Sequence, residues 1–110
     1  MNTATALAIL FVAALLEAGG DALVRVGLHG SALKRLSFLL LGAVVLFFYG
    51  YAVNSPSWDF GRLIGVYIVF FFLVAQAINW LAFGQKPTAG ILLGGSLIVL
   101  GGLVISLLRN

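Results

Sequence analysis

Four apolar segments, each about as long as a membrane-crossing helix, occupy most of this 110-residue chain. We place them at about residues 4–27, 36–53, 61–82 and 88–108, because a bilayer core of about 30 Å needs about 20 helical residues. Only 8% of the residues are charged and 63% are hydrophobic, whereas soluble domains carry about 25% charged residues. The sequence therefore predicts an all-α integral membrane protein with a single four-helix transmembrane domain spanning residues 1–110.

Short polar connectors separate the segments, so we expect consecutive helices to be antiparallel neighbours. Basic residues near the predicted helix ends give a weak orientation bias. One membrane face carries Lys34, Arg35 and Lys86, with Arg25 close by, and the other carries Arg62 and Arg109. Both an ordinary fixed topology and a dual topology, in which opposite orientations form an antiparallel dimer, remain open.

Composition excludes several kinds of site. The chain has no cysteine, which excludes disulfides and thiol ligands. Its basic residues are dispersed, so we expect the lipid bilayer rather than nucleic acid as a partner. Neither a cleaved signal peptide nor a cofactor is expected, and one histidine with scattered acids does not predict a metal site.

Ionisable residues follow one another at four-residue intervals in the first segment: Glu17, Asp21, Arg25 and His29. This spacing keeps all four on roughly one side of a helix. An ionisable residue inside a membrane helix costs roughly 2.5–3.5 kcal/mol on insertion scales and is usually functional. Glu17 can bind either a proton or a cation, which is sufficient for proton/cation exchange. The alternative is a carboxyl group permanently protonated or paired inside a bundle.

Asp21 and Arg25 have the spacing of an intrahelical ion pair, with the acid N-terminal to the base. We favour the interpretation that the two side chains form an ion pair and neutralise each other near the end of the helix. Alternatively, Asp21 shares the cation site and Arg25 tunes it, or Arg25 extends to the membrane interface. We expect His29 to be a solvated loop residue.

The third and fourth segments add small and aromatic residues. Gly61, Gly65 and Tyr67 occupy the first two turns of the third segment, where Tyr67 is either a cation-contacting residue or an interfacial anchor. The fourth segment contains Gly90, Gly94 and Gly101, which we predict to form a dimerisation face. One copy with four helices can scarcely enclose a transport pathway, which independently favours an oligomer.

Several motifs, in order over nearly the whole chain, resemble the small multidrug resistance (SMR) superfamily of the drug/metabolite transporters. They are Leu16-Glu17-Ala18-Gly19-Gly20, Phe83-Gly84-Gln85-Lys86 and the glycine-rich run from Gly94 to Gly101. The segment Phe60-Gly61-Arg62, followed by Gly65 and Tyr67, is closer to the YnfA-type branch of that superfamily.

The resemblance implies an antiparallel, dual-topology homodimer that works by alternating access. It implies that Glu17 exchanges protons for cationic compounds and that Tyr67 lines the site. We add Asp21 to the proton- and substrate-binding residues, and assign site-tuning roles to Arg25, Gly20, Gly65 and Arg62. The multidrug exporters have tryptophan where this chain has Tyr67, and they lack the acid–base pair Asp21 and Arg25. The extra charges would narrow the substrate range, abolish transport or adapt the site to a zwitterion.

The leading hypothesis is therefore a proton-coupled efflux antiporter of small cations, such as quaternary ammonium or guanidinium compounds, in the bacterial inner membrane. The alternatives are a non-transporting membrane assembly partner and a subunit of a lipid-carrier flippase. The sequence contains no combination of a nucleophile and a base, and no phosphate-binding loop, that would indicate an enzyme.

Overall fold

Four long helices make up the protein in a computed structural model that describes residues 2–108. They are α1 (Thr3–Leu28), α2 (Ala32–Val53), α3 (Phe60–Phe83) and α4 (Ala89–Leu107). Each is long and apolar enough to cross a membrane, which confirms the all-helical, multi-pass prediction. The largest difference from the predicted bounds is the start of α2, four residues earlier than expected. Lys34 and Arg35 lie inside this helix because both residue types favour helical structure.

Side chains at the connectors determine where three of the helices begin. Asn2 Oδ1 accepts a hydrogen bond from the Thr5 N–H at 2.7 Å, and Thr88 Oγ1 accepts one from Ile91 at 3.2 Å. The Asp59 carboxylate caps α3 by accepting from the Arg62 N–H at 3.1 Å. These bonds satisfy backbone donors that a helix start otherwise leaves unpaired.

Arg109, one of the basic residues counted in the predicted orientation bias, lies outside the described residues.

Helix α1 is central, because it packs against both α2 and α3, while α4 packs against α3. The predicted contact between the consecutive helices α2 and α3 is made by side chains such as Tyr49 and Tyr67, whose ring centroids lie 5.8 Å apart, because each of these helices packs mainly against α1. The connector 54–59 can extend to about 20 Å, enough to pass the end of one helix. This order makes α1 and α3 run parallel, and the molecule is flattened, with dimensions of 50 × 34 × 18 Å.

Glycines allow α1 and α2 to approach closely. A methyl group on Gly42 would lie 2.7 Å from Val24 Cγ2 and 3.2 Å from the Gly20 carbonyl oxygen. Both distances are shorter than ordinary van der Waals contact, and one of the neighbouring atoms is backbone. Small residues are the usual means of close helix packing in a membrane, where lipid is as apolar as the side chains.

We predict that Gly42→Ala lowers the thermal unfolding midpoint of the detergent-solubilised protein. Overpacking typically costs about 1–3 kcal/mol, which outweighs the gain of up to about 1 kcal/mol from the better helix former. Gly50→Ala in the same helix is the matched control, because no heavy atom lies within 4 Å of its added methyl group. Equal midpoints for the two variants would contradict the close approach at Gly42.

Candidate functional site

The interface of α1 and α3 holds Tyr67 in the protein core. Ala13, Ala14 and Ala18 line the α1 side of this interface, and Leu63 and Val66 accompany Tyr67 on α3. The small alanine side chains leave room for the tyrosine ring to reach across to α1. Only 3% of Tyr67 is exposed, so packing fixes the position of its hydroxyl group.

The Tyr67 hydroxyl donates a hydrogen bond to Glu17 Oε1 at 2.7 Å. The Ala13 carbonyl oxygen, 3.3 Å away, is a second acceptor for the same hydroxyl group. Glu17 is half-buried, and within residues 2–108 the bond from Tyr67 engages only one of its carboxylate oxygens. A carboxyl group held in this way has one fixed oxygen and one available to a proton or a ligand cation.

Two further aromatic rings flank Tyr67. The ring centroid of Tyr49 lies 5.8 Å from that of Tyr67, and that of Phe71 lies 6.4 Å away. Ring faces attract cations, so the surroundings of Glu17 suit a positively charged ligand. Neither residue is among the site residues predicted from the sequence. Phe71 has a detectable signal, because it lies four residues after Tyr67 on the same helix face, whereas Tyr49 has the pattern of an interfacial residue.

Asp21 and Arg25 line a cavity of about 420 Å³ between the C-terminal halves of α1 and α3. Among residues 2–108 the structure shows no hydrogen bond between these two side chains. The Arg25 guanidinium instead lies over the Phe83 ring, 5.9 Å from its centroid. The favoured intrahelical ion pair is thus replaced by a contact with α3. His29 is exposed at the C-terminal end of α1.

Three residues with predicted site-tuning roles lie elsewhere. Gly20 packs against Leu46 and Gly42 of α2, and Gly65 packs against Ile105 of α4. The Arg62 guanidinium lies 4.5 Å from the centroid of the Trp58 ring near the start of α3. Close helix packing explains why glycine occurs at positions 20 and 65, and neither role requires a direct contact with Glu17.

The glycines of α4 divide into two sets. Gly90, Gly94 and Gly101, the predicted dimerisation residues, are exposed, and no heavy atom lies within 4 Å of a methyl group built on Gly94 or Gly101. Gly95 and Gly102 instead lie beneath Phe72 and Val69 of α3. Packing of this second pair within the chain is not predicted from the sequence.

The described residues contain no group of three or more histidine, cysteine, aspartate or glutamate side chains that could hold a metal ion. No protein-family model, curated protein or solved structure matches this chain. The geometry between α1 and α3 is therefore the basis for a functional assignment.

We predict that Tyr67→Phe lowers the free energy of unfolding by about 0.5–3 kcal/mol, the range from a hydrogen bond between neutral groups to one with a charged group. The substitution keeps the ring and removes only the donor to Glu17. Tyr51→Phe is the control, because Tyr51 is 74% exposed. Chemical unfolding in detergent measures both values. A Tyr67→Phe variant as stable as Tyr51→Phe would show that the bond to Glu17 contributes nothing.

Proposed function

We propose that the protein is a proton-coupled efflux antiporter of small cationic compounds and that Glu17 is the residue that exchanges protons for substrate. The observation that supports this most directly is the 2.7 Å hydrogen bond from Tyr67 to Glu17. It fixes a carboxyl group inside a helix long and apolar enough to cross a membrane. Such intramembrane carboxyl groups are costly to insert and typically belong to ion or proton pathways.

In the proposed exchange, a protonated Glu17 loses its proton when a substrate cation arrives, because the two compete for the same carboxylate. Tyr67 remains the donor to Oε1 and keeps the carboxylate oriented towards the ligand. The ring faces of Tyr67 and Phe71 contribute cation–π attraction. Release on the opposite side of the membrane occurs when a new proton displaces the substrate.

We propose that the working unit is an antiparallel homodimer in the bacterial inner membrane, with each copy providing one Glu17. The open arrangement of the helices supports a second copy, because within residues 2–108 helix α4 packs mainly against α3. Its exposed glycines, Gly90, Gly94 and Gly101, offer a surface for the close approach of another helix.

The same exposed glycine surface favours one alternative, a non-transporting membrane protein that recruits a different partner. In that case Glu17 and Tyr67 form a static polar contact, and Asp21 and Arg25 have no substrate. The two functions differ in whether a cation releases protons from the folded protein.

We predict that tetraethylammonium or guanidinium releases protons from the purified protein in weakly buffered detergent, and that Glu17→Gln abolishes the release. The amide retains the shape of the carboxyl group and can accept the bond from Tyr67, but it carries no exchangeable acid proton. Proton release is followed with a pH-sensitive dye at several pH values around neutrality.

Asp59→Asn is the matched control for this experiment. Asp59 caps α3 from the connector, and asparagine is an equally good N-cap residue, so this variant should release protons as the natural protein does. Release that persists in Glu17→Gln, or its absence from the folded natural protein with every cation tried, would refute exchange at Glu17.

We also predict that Gly101→Leu shifts the protein from dimer to monomer in detergent, because a large side chain prevents close approach to a second copy. Gly50→Leu is the control, since Gly50 also has open space around it but lies on α2. Light scattering gives the mass of each variant. A Gly101→Leu protein that remains dimeric would remove this surface from the proposed interface.

A further inference from the structure

The open cavity between α1 and α3 combines opposite charges, because Asp21 and Arg25 both line it. We propose that its ligand is amphoteric, with a cationic group directed to Asp21 and an anionic group directed to Arg25. This inference rests on the proposed function, because the ligand would be the exchanged substrate, bound in a cavity whose lining includes Asp21, one helical turn from Glu17. The volume of about 420 Å³ lies within the usual range for small-molecule sites, roughly 300–1,000 Å³.

The two charges are available to a ligand. Asp21 and Arg25 are exposed and both line the cavity. They are four residues apart, which separates them by about 6 Å along the helix axis. Since the Arg25 guanidinium lies against Phe83 without a hydrogen bond to Asp21, each charge can pair with a group of the ligand.

A simple cation in this cavity gains less binding free energy than an amphoteric molecule. It is attracted by Asp21 but repelled by Arg25, and these forces are strong where lipid and protein lower the dielectric constant. A molecule with a second, negative group one helical turn away replaces this repulsion with a charge-assisted hydrogen bond. The charges of α1 therefore select for two opposite groups at a defined separation.

The α3 side of the cavity supplies complementary chemistry. Asn79 and Gln85 add neutral amide groups, and Asn79 Nδ2 donates to the Gln85 carbonyl oxygen at 3.5 Å. These amides line the same cavity as Arg25, and their N–H groups can donate to an anionic group of the ligand. Phe71 and Phe83 form apolar walls that suit a methylated ammonium group or a short alkyl chain.

The test uses two probes that differ by one charge: 4-(trimethylammonio)butanoate and its primary amide. Calorimetry on the detergent-solubilised protein should show that the carboxylate probe binds about tenfold more tightly than the amide probe, as expected for one additional charge-assisted contact. Arg25→Gln should remove this preference, because it weakens binding of the carboxylate probe and relieves the repulsion of the cationic amide probe, and Arg25→Lys should restore part of it.

Lys34→Gln is the control, because Lys34 is an exposed basic residue at the start of α2 and does not line the cavity. The Lys34→Gln variant should bind the carboxylate probe more tightly than the amide probe, as the natural protein does. Equal affinity for the two probes, a preference that survives Arg25→Gln, or one that disappears in Lys34→Gln would overturn the inference.

Proton release distinguishes failure of this inference from failure of the proposed function. If tetraethylammonium or the amide probe causes Glu17-dependent release while the carboxylate probe has no advantage, exchange stands and the amphoteric ligand is refuted. If the carboxylate probe binds with an Arg25-dependent preference and nothing releases protons, the ligand class stands and exchange is refuted. Folding of each variant is verified by circular dichroism and gel filtration.

Discussion

A carboxyl group inside a membrane-spanning helix needs a hydrogen-bond donor, and Tyr67 is that donor for Glu17. The bond depends on close, parallel packing of α1 and α3. Ala13, Ala14 and Ala18 provide the necessary space, because larger side chains at these positions would push the tyrosine ring away from α1. Burial of Tyr67 then holds its hydroxyl at one point, so the apolar core determines the geometry of the polar site.

Different sides of helix α1 contact different neighbours. Gly20 and Gly27 face α2, where added methyl groups would meet Leu46 and Phe38, and the alanines face α3. Asp21 and Arg25 line the cavity that opens between α1 and α3. Because α1 packs closely against both neighbours through small residues, its charged side faces the rings of α3 in this structure.

Segment length and apolarity were sufficient to predict the four helices, because the bilayer imposes both on any spanning segment. The helix order was not predictable in this way. A short connector limits the distance between helix ends but does not determine which faces pack, and here α2 and α3 both pack mainly against α1. The two glycine pairs of α4 illustrate the same limit. Gly94 and Gly101 have the same seven-residue spacing as Gly95 and Gly102, yet only the second pair packs against α3.

The candidate site was partly predictable for a related reason. Glu17 and Asp21 attract notice because charge is rare in a membrane helix, and Tyr67 because of a resemblance in the surrounding residues. The partners of these groups depend on tertiary packing. Arg25 illustrates this, since helical spacing favours Asp21 as its partner whereas the folded chain brings Phe83 to it.

The positions of the charges along α1 have a consequence for an antiparallel pair. Measured from the middle of Thr3–Leu28, Glu17 is displaced by about 2 Å, Asp21 by about 8 Å and Arg25 by about 14 Å along the axis. Reversing one copy would therefore leave the two Glu17 side chains at nearly the same depth while moving the two Arg25 side chains towards opposite membrane surfaces. Each entrance would then have one guanidinium group, and the centre would have two carboxyl groups. An amphoteric substrate entering from either side would then meet Arg25 first, Asp21 next and Glu17 last. This equivalence of the two sides is the symmetry that alternating access requires.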